Sequence, residues 1–264
     1  MHKNGVVLPI EGGDGYMTTL KEYNSYGEDL EKMLLLRTSP LAVKMLEKEE
    51  DIPEGAIRPK KDRGYHLAQC QAFAMARRER VSVAMLEEDN WCFAPVIAYG
   101  MEEKPDDPRL EQIVAFPCLE RNRYIGIVSA PLKTANFEPD LVLIYSNTAQ
   151  MRSLLLTLKY ENRDQISYYF FPPVCSYIVI PVMLENKYVV ALPDPGEFVR
   201  AISGEDEIII SIPAGKMDEL MADLRKAEER NMGYSRSNFM MLYDFPRPDF
   251  YKNLFRKWGL DVED

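Results

Sequence analysis

Histidine is nearly absent. The chain of 264 residues has two, His2 and His66, so any mechanism needing an imidazole away from the N-terminus rests on His66. Cysteine is scarce as well. Cys70, Cys92, Cys118 and Cys175 are separated by 22, 26 and 57 positions. No C-x-x-C pair occurs, which excludes a zinc-ribbon signature, and four cysteines in so long a chain do not make a disulfide framework. A reducing cytoplasm is the expected compartment. No run of 18 apolar residues exists, so no membrane span is expected. The opening MHKNGVVLPIEGGDG holds no apolar core of signal-peptide length. Positive charge is in deficit, with 32 Lys and Arg against 42 Asp and Glu and a net charge of −10. A surface of that sign repels phosphate backbones and argues against nucleic-acid binding. The one basic cluster, Arg58 to Arg63, reads as a solvated loop. No tandem repeat of fixed period and no long linker appear.

What is present is an ordinary globular composition, 46% hydrophobic and 28% charged, in a chain long enough to build its own core. Strand and helix patterns interleave. They predict a single α/β or α+β domain over residues 17–244, with a mixed β-sheet covered by helices. Residues 1–16 read as a loose lead-in. Residues 245–264 read as a helical tail packed on the body through Tyr251, Leu254, Phe255 and Trp258. Oligomeric state is not readable.

The stretch Gly64 to Gly100 changes period twice. Leu67, Cys70, Ala74 and Arg77 predict a helix over Tyr65 to Arg80, which would put His66 and Cys70 on one face. Val81 to Leu86 alternates as a strand. Asp89 or Asn90 then caps a short helix closed by Gly100, with Cys92 in its first turn, where the dipole favours a thiolate. Elsewhere, helices are predicted over Met17–Leu36, interrupted at Gly27, over Met151–Lys159 and over Lys216–Arg230. Strands are predicted at Leu41–Leu46, Tyr124–Ser129, Leu141–Ser146, Ile166–Phe171, Tyr188–Leu192 and Ile208–Ile212. Pro193 to Gly196 reads as a turn.

Two places invite chemistry. Cys70, Cys92, Cys118 and Cys175, with His66, are candidate ligands for a metal ion or an iron–sulfur cluster, with Arg77 or Arg78 offsetting thiolate charge. The same cysteines also read as small buried hydrophobes. Nucleophilic use of Cys92 would require His66 nearby. The second place is Asn147 to Gln150. A buried strand followed by a polar cap and a helix is where open sheets bind small anionic ligands, and Asn147 is equally a plain N-cap.

Several segments taken together resemble one family. They are Ser39-Pro40-Leu41-Ala42-Val43-Lys44, Cys70-Gln71-Ala72, Ala76-Arg77-Arg78, Glu88-Asp89 with Cys92, Pro139-Asp140-Leu141-Val142 and Asn147-Thr148-Ala149-Gln150. The pattern is similar to that of the domain of unknown function 169 family, uncharacterised ArCR-type proteins of bacteria and archaea, from about Leu30 to Arg230. The resemblance implies a shared pattern at all four cysteines and so a common thiolate site. It departs from the family at Leu192 to Arg200, where a further cysteine often stands, and at Thr148, where the family has proline. The family transfers no settled activity. Two functions follow as expectations. One is a cytoplasmic protein with a cysteine-ligated metal or iron–sulfur centre and a redox or cofactor-handling role. The other is a non-catalytic small-ligand-binding module at Asn147–Gln150.

Overall fold

The structure, a computed structural model, describes residues 18–103, 106, 116–161 (without the side chains of 159–161), 166–230, 233–234 and 247–260. Its elements run α1 (Leu20–Leu34), β1 (Leu41–Leu46), α2 (Pro59–Arg63), α3 (Gln69–Glu79), β2 (Val83–Leu86), α4 (Phe93–Ala98), β3 (Gly126–Pro131) and β4 (Leu141–Ser146). They continue through α5 (Thr148–Glu161), β5 (Ile166–Tyr169), α6 (Val174–Tyr177), α7 (Ile180–Glu185), β6 (Tyr188–Ala191), α8 (Pro195–Ala201), β7 (Ile208–Pro213), α9 (Met217–Glu229) and α10 (Asp249–Lys257).

Among the described residues, seven strands form one open sheet in the order β2-β3-β1-β4-β7-β6-β5. Neighbours pair antiparallel except β5 with β6, which are parallel. That pair is joined by the α6–α7 crossover, as parallel strands require. The fold is therefore α+β with a mixed sheet.

The sheet is covered on both faces, so β1, β3 and β4 are buried along nearly their whole length, with Lys44 the half-buried exception in β1. Their two-residue period sends Leu41, Val43 and Met45 to one side with Phe73 of α3, Ile97 of α4 and Ile178 beside α6. Ala42 and Leu46 go to the other side with Leu30 of α1, Leu154 of α5 and Leu220 of α9. The first face carries the site.

Local chemistry explains the helix limits. Thr19 and Glu22 form a capping box at the start of α1, and Leu35 in the left-handed region ends it. Gly27 does not interrupt α1. It lies against the chain after β3, where a Cβ would stand 2.5 Å from Lys133 N. Arg58 is not solvated. It is buried and donates to Asp89 at 2.6 Å and to Glu88, tying α2 to the turn after β2. Helix α10 forms as its periodicity predicts, yet none of its residues is buried. Tyr251 and Trp258 are exposed, and Arg247 stacks on Phe255 at 4.8 Å. Leu254 and Phe255 of the same face are half-buried, so the face is covered in part among the described residues.

Candidate functional site

Four helix starts meet at one small cavity on the first face of the sheet. Helix α3 begins at Gln69 because the Gln71 side chain accepts the Ala68 N–H at 2.9 Å. This places Cys70 in the first turn. Cys92 is the N-cap of α4, and Cys175 is the second residue of α6. Asp194 holds two of these starts together. One carboxylate oxygen accepts the Glu197 N–H at 3.0 Å and caps α8, while the other accepts the Val174 N–H of α6 at 2.9 Å.

The cavity has a volume of about 30 Å³, and Gln69, Cys70, Cys92, Cys175, Asp194 and Arg200 are among its lining. That is room for one water-sized group. All four cysteines are free thiols. Cys70 donates to the Gly196 carbonyl at 3.8 Å. Burial pushes its thiol up to about 12, Glu197 adds to the effect, and the Arg200 guanidinium against its sulfur opposes it. Burial raises Cys175 well above the ordinary thiol range, with Cys92 and Cys70 adding to the shift. Cys92 is the pocket thiol that keeps partial exposure.

Arg200 lies in the last turn of α8 and folds back over Gly196, where any Cβ would collide with its Nη2. Its guanidinium sits 4.9 Å from the Trp91 ring. Among the described residues it has no carboxylate partner, and its Nε is buried without a hydrogen-bond partner. Gln69 is 1% exposed, and among the described residues neither its Oε1 nor its Nε2 has a partner. A buried amide with both ends unpaired is rare in a settled core.

Beneath the cavity, Glu197 is fully buried. It accepts from Tyr145 Oη and Ser203 Oγ, each at 3.0 Å. Burial raises its carboxyl from 4.5 to about 7, against the pull of Arg77, Tyr145 and Ser203. A raised folded-state value means that the neutral acid is favoured in the fold. The stabilisation is complete below pH 4.5 and is lost as pH rises through about 7, a loss on the order of 3 kcal/mol. Glu197→Gln keeps the shape and cannot ionise. It should leave stability near pH 4 unchanged and raise it at pH 8, read as melting temperature against pH. A variant no more stable than the parent at pH 8 would contradict this.

The structure treats the expected ligands unequally. It brings Cys70, Cys92 and Cys175 together. Cys118 stays outside the cavity lining, in the segment before β3, with its sulfur 3.5 Å from the Phe116 carbonyl. His66 is exposed and precedes α3 instead of sharing its face with Cys70. The chain is extended there, because Leu67 pairs with Asn90 in a β-bridge. Among the described residues, no group of three or more His, Cys, Asp or Glu side chains is placed to hold a metal ion. The metal set Cys70, Cys92, Cys118, Cys175 and His66 is thus not assembled.

The arginines are structural. Arg77 is buried and bonds Glu207 twice, at 2.7 and 2.9 Å, while Arg78 donates to the Ile202 carbonyl at 2.7 Å. Asn147 and Gln150 cap each other's backbone N–H at 2.8 and 2.9 Å. Gln150 also donates to the Leu34 and Leu35 carbonyls, locking α5 to the end of α1.

Sequence reasoning missed Gln69, Glu197 and Arg200. The last two sit on α8, whose first two residues fall in the expected turn Pro193 to Gly196 and whose helical remainder that reading does not assign. Asp194 as cap, Pro195 next and Glu197 third form a helix-start signature that marks it.

The family profile described as uncharacterised ArCR matches residues 29–223. The chain belongs to the domain of unknown function 169 family. The match includes Gln69, all four cysteines and Arg200, and it stops before α10. An uncharacterized protein of Methanocaldococcus jannaschii is 21% identical over 222 residues, covering 76% of this chain and 93% of that protein. No solved structure matches the chain. Among the described residues, no helix is long and apolar enough to cross a membrane.

Proposed function

We propose that the protein is a thiol-based small-ligand protein with a redox or cofactor-handling role in a reducing cytoplasm, and that Cys92 is its reactive group. The observation that carries this reading is the convergence of three cysteines with two unpaired buried polar groups, Gln69 and Arg200 Nε, around one cavity. Unpaired buried groups cost stability, and a polar occupant of the cavity would satisfy the two that stand beside these thiols. Cys70 and Cys175 line the cavity as neutral thiols, and Cys92 meets the solvent. In this reading the site uses a thiol as nucleophile and does not use its cysteines as cluster ligands.

Native-state alkylation with iodoacetamide, mapped by peptide mass, tests it. A thiol titrating near 12 is thiolate in about one molecule in 10⁵ at pH 7. Cys92 is expected to react at least about a hundredfold faster than Cys70 and Cys175, which should label only on unfolding. Equal rates at the three positions would sink the reading.

A further inference from the structure

The cavity wall differs from an ordinary core gap in what it leaves unpaired. Gln71, two residues from Gln69, spends its side-chain oxygen on the Ala68 N–H and the Trp91 indole N–H. Gln69 spends neither end. Arg200 is held against Trp91 and Cys70 with its Nε edge buried and unpaired. The acid in the lining, Asp194, has both oxygens committed to backbone N–H groups and, among the described residues, makes no ion pair with the guanidinium. The wall therefore offers a fixed cation edge and an amide donor with no acceptor, beside Cys92. Both donors favour a compact oxyanion. A volume of about 30 Å³ holds a water-sized group and excludes a whole phosphate ester, so a carboxylate oxygen would take that place against the two donors. Outside the cavity, Trp91 and Phe93, both exposed large apolar residues, flank the lining residue Cys92 in sequence.

We infer that Arg200 Nε and the Gln69 amide form a receptor for the carboxylate end of a small organic acid and present its adjacent carbon to Cys92. The inference rests on the thiol-site reading above and names the ligand class of that site. Paired haloacetyl probes read it directly. In each, the Cys92 sulfur attacks the CH₂ carbon, an S–C bond forms, the C–I bond breaks, iodide leaves with the bonding pair, and the thiol proton goes to water. Iodoacetate carries the carboxylate, while iodoacetamide is the neutral analogue of the same size.

The measurement is the iodoacetate-to-iodoacetamide rate ratio at Cys92, with Cys118 in the same digest and the unfolded chain as references. The ratio at native Cys92 should exceed both references by about tenfold, the scale of one charge-assisted hydrogen bond. Arg200→Gln should return it to the reference value. Gln69→Leu should lower it without lowering the melting temperature, because the variant removes a buried amide that has no partner. If Cys92 reacts with iodoacetamide but its ratio equals the references, or survives Arg200→Gln unchanged, the receptor is overturned and the thiol site stands. If Gln69→Leu lowers the melting temperature and leaves the ratio alone, Gln69 is structural and its part in the receptor is overturned. If Cys92 reacts with neither probe, the thiol-site reading fails first and the receptor with it.

Discussion

Arg77→Ala should cost about 3–5 kcal/mol of folding stability, the penalty for stranding one member of a buried ion pair. The Arg77 side chain is wholly buried, and its partner Glu207 is 7% exposed. The guanidinium makes two bonds to Glu207 at 2.7 and 2.9 Å, a third to Thr38 at 3.2 Å, and stacks on Tyr145 at 3.9 Å. Alanine removes all of these and leaves a carboxylate in the interior. The remaining contacts of Glu207, the Gly204 N–H at 3.0 Å and Arg78 at 3.7 Å, do not replace a forked pair. The pair joins α3 to the segment after α8, the two helices that carry Cys70 and Arg200. Loss of Arg77 should therefore also expose Cys70 and Cys175 to alkylation. The denaturation midpoint in urea checks the energy, and a loss below about 1 kcal/mol would show that the pair contributes little.

Leu220→Asp should cost more than about 4 kcal/mol, since it removes a leucine from the core and buries a carboxylate there. Leu220 is fully buried between the sheet and the α1, α5 and α9 layer. A nearby acid on the same helix, Asp223, is buried at the helix edge and is paired with Lys226 at 3.0 Å. An aspartate at position 220 would point into an all-apolar cluster. Against a typical total of about 5–15 kcal/mol, a loss of that size should lower the melting temperature by about 10 °C or more. A thermal melt matching the parent would show that this face is not core.

Much of the fold was legible because its signals are local. Strands β1 and β4 begin and end where their apolar runs do, and α9 departs by one residue at each end from its predicted limits. The face of α9 formed by Met217, Leu220, Met221 and Leu224 is buried as its spacing requires. The site was less legible because its defining features are pairings and absences of pairing. Arg77 and Glu207 stand 130 positions apart, and no periodicity joins them. Before the fold is known, Arg77 looks like a free cation near a cysteine. Arg200 is the reverse case. It looks like a surface charge after a Pro-Gly turn, and only the fold shows a cation beside a thiol with no carboxylate partner among the described residues. The cysteines themselves were legible, but which ones converge was not. Cys70, Cys92 and Cys175 meet because three helix starts do, whereas Cys118 sits in the segment leading to β3. His66 failed as a helix-face neighbour because pairing with Asn90 at Leu67 delays the helix by four residues beyond its predicted start at Tyr65.

The most direct measurement is a crystal structure of the protein after reaction with one equivalent of iodoacetate. The account predicts a carboxymethyl group on Cys92 Sγ, its carboxylate within hydrogen-bond distance of Arg200 Nε and Gln69 Nε2, and unmodified Cys70 and Cys175. An adduct on Cys118 with Cys92 unmodified, or a Cys92 adduct turned to solvent with Arg200 and Gln69 unengaged, would contradict it.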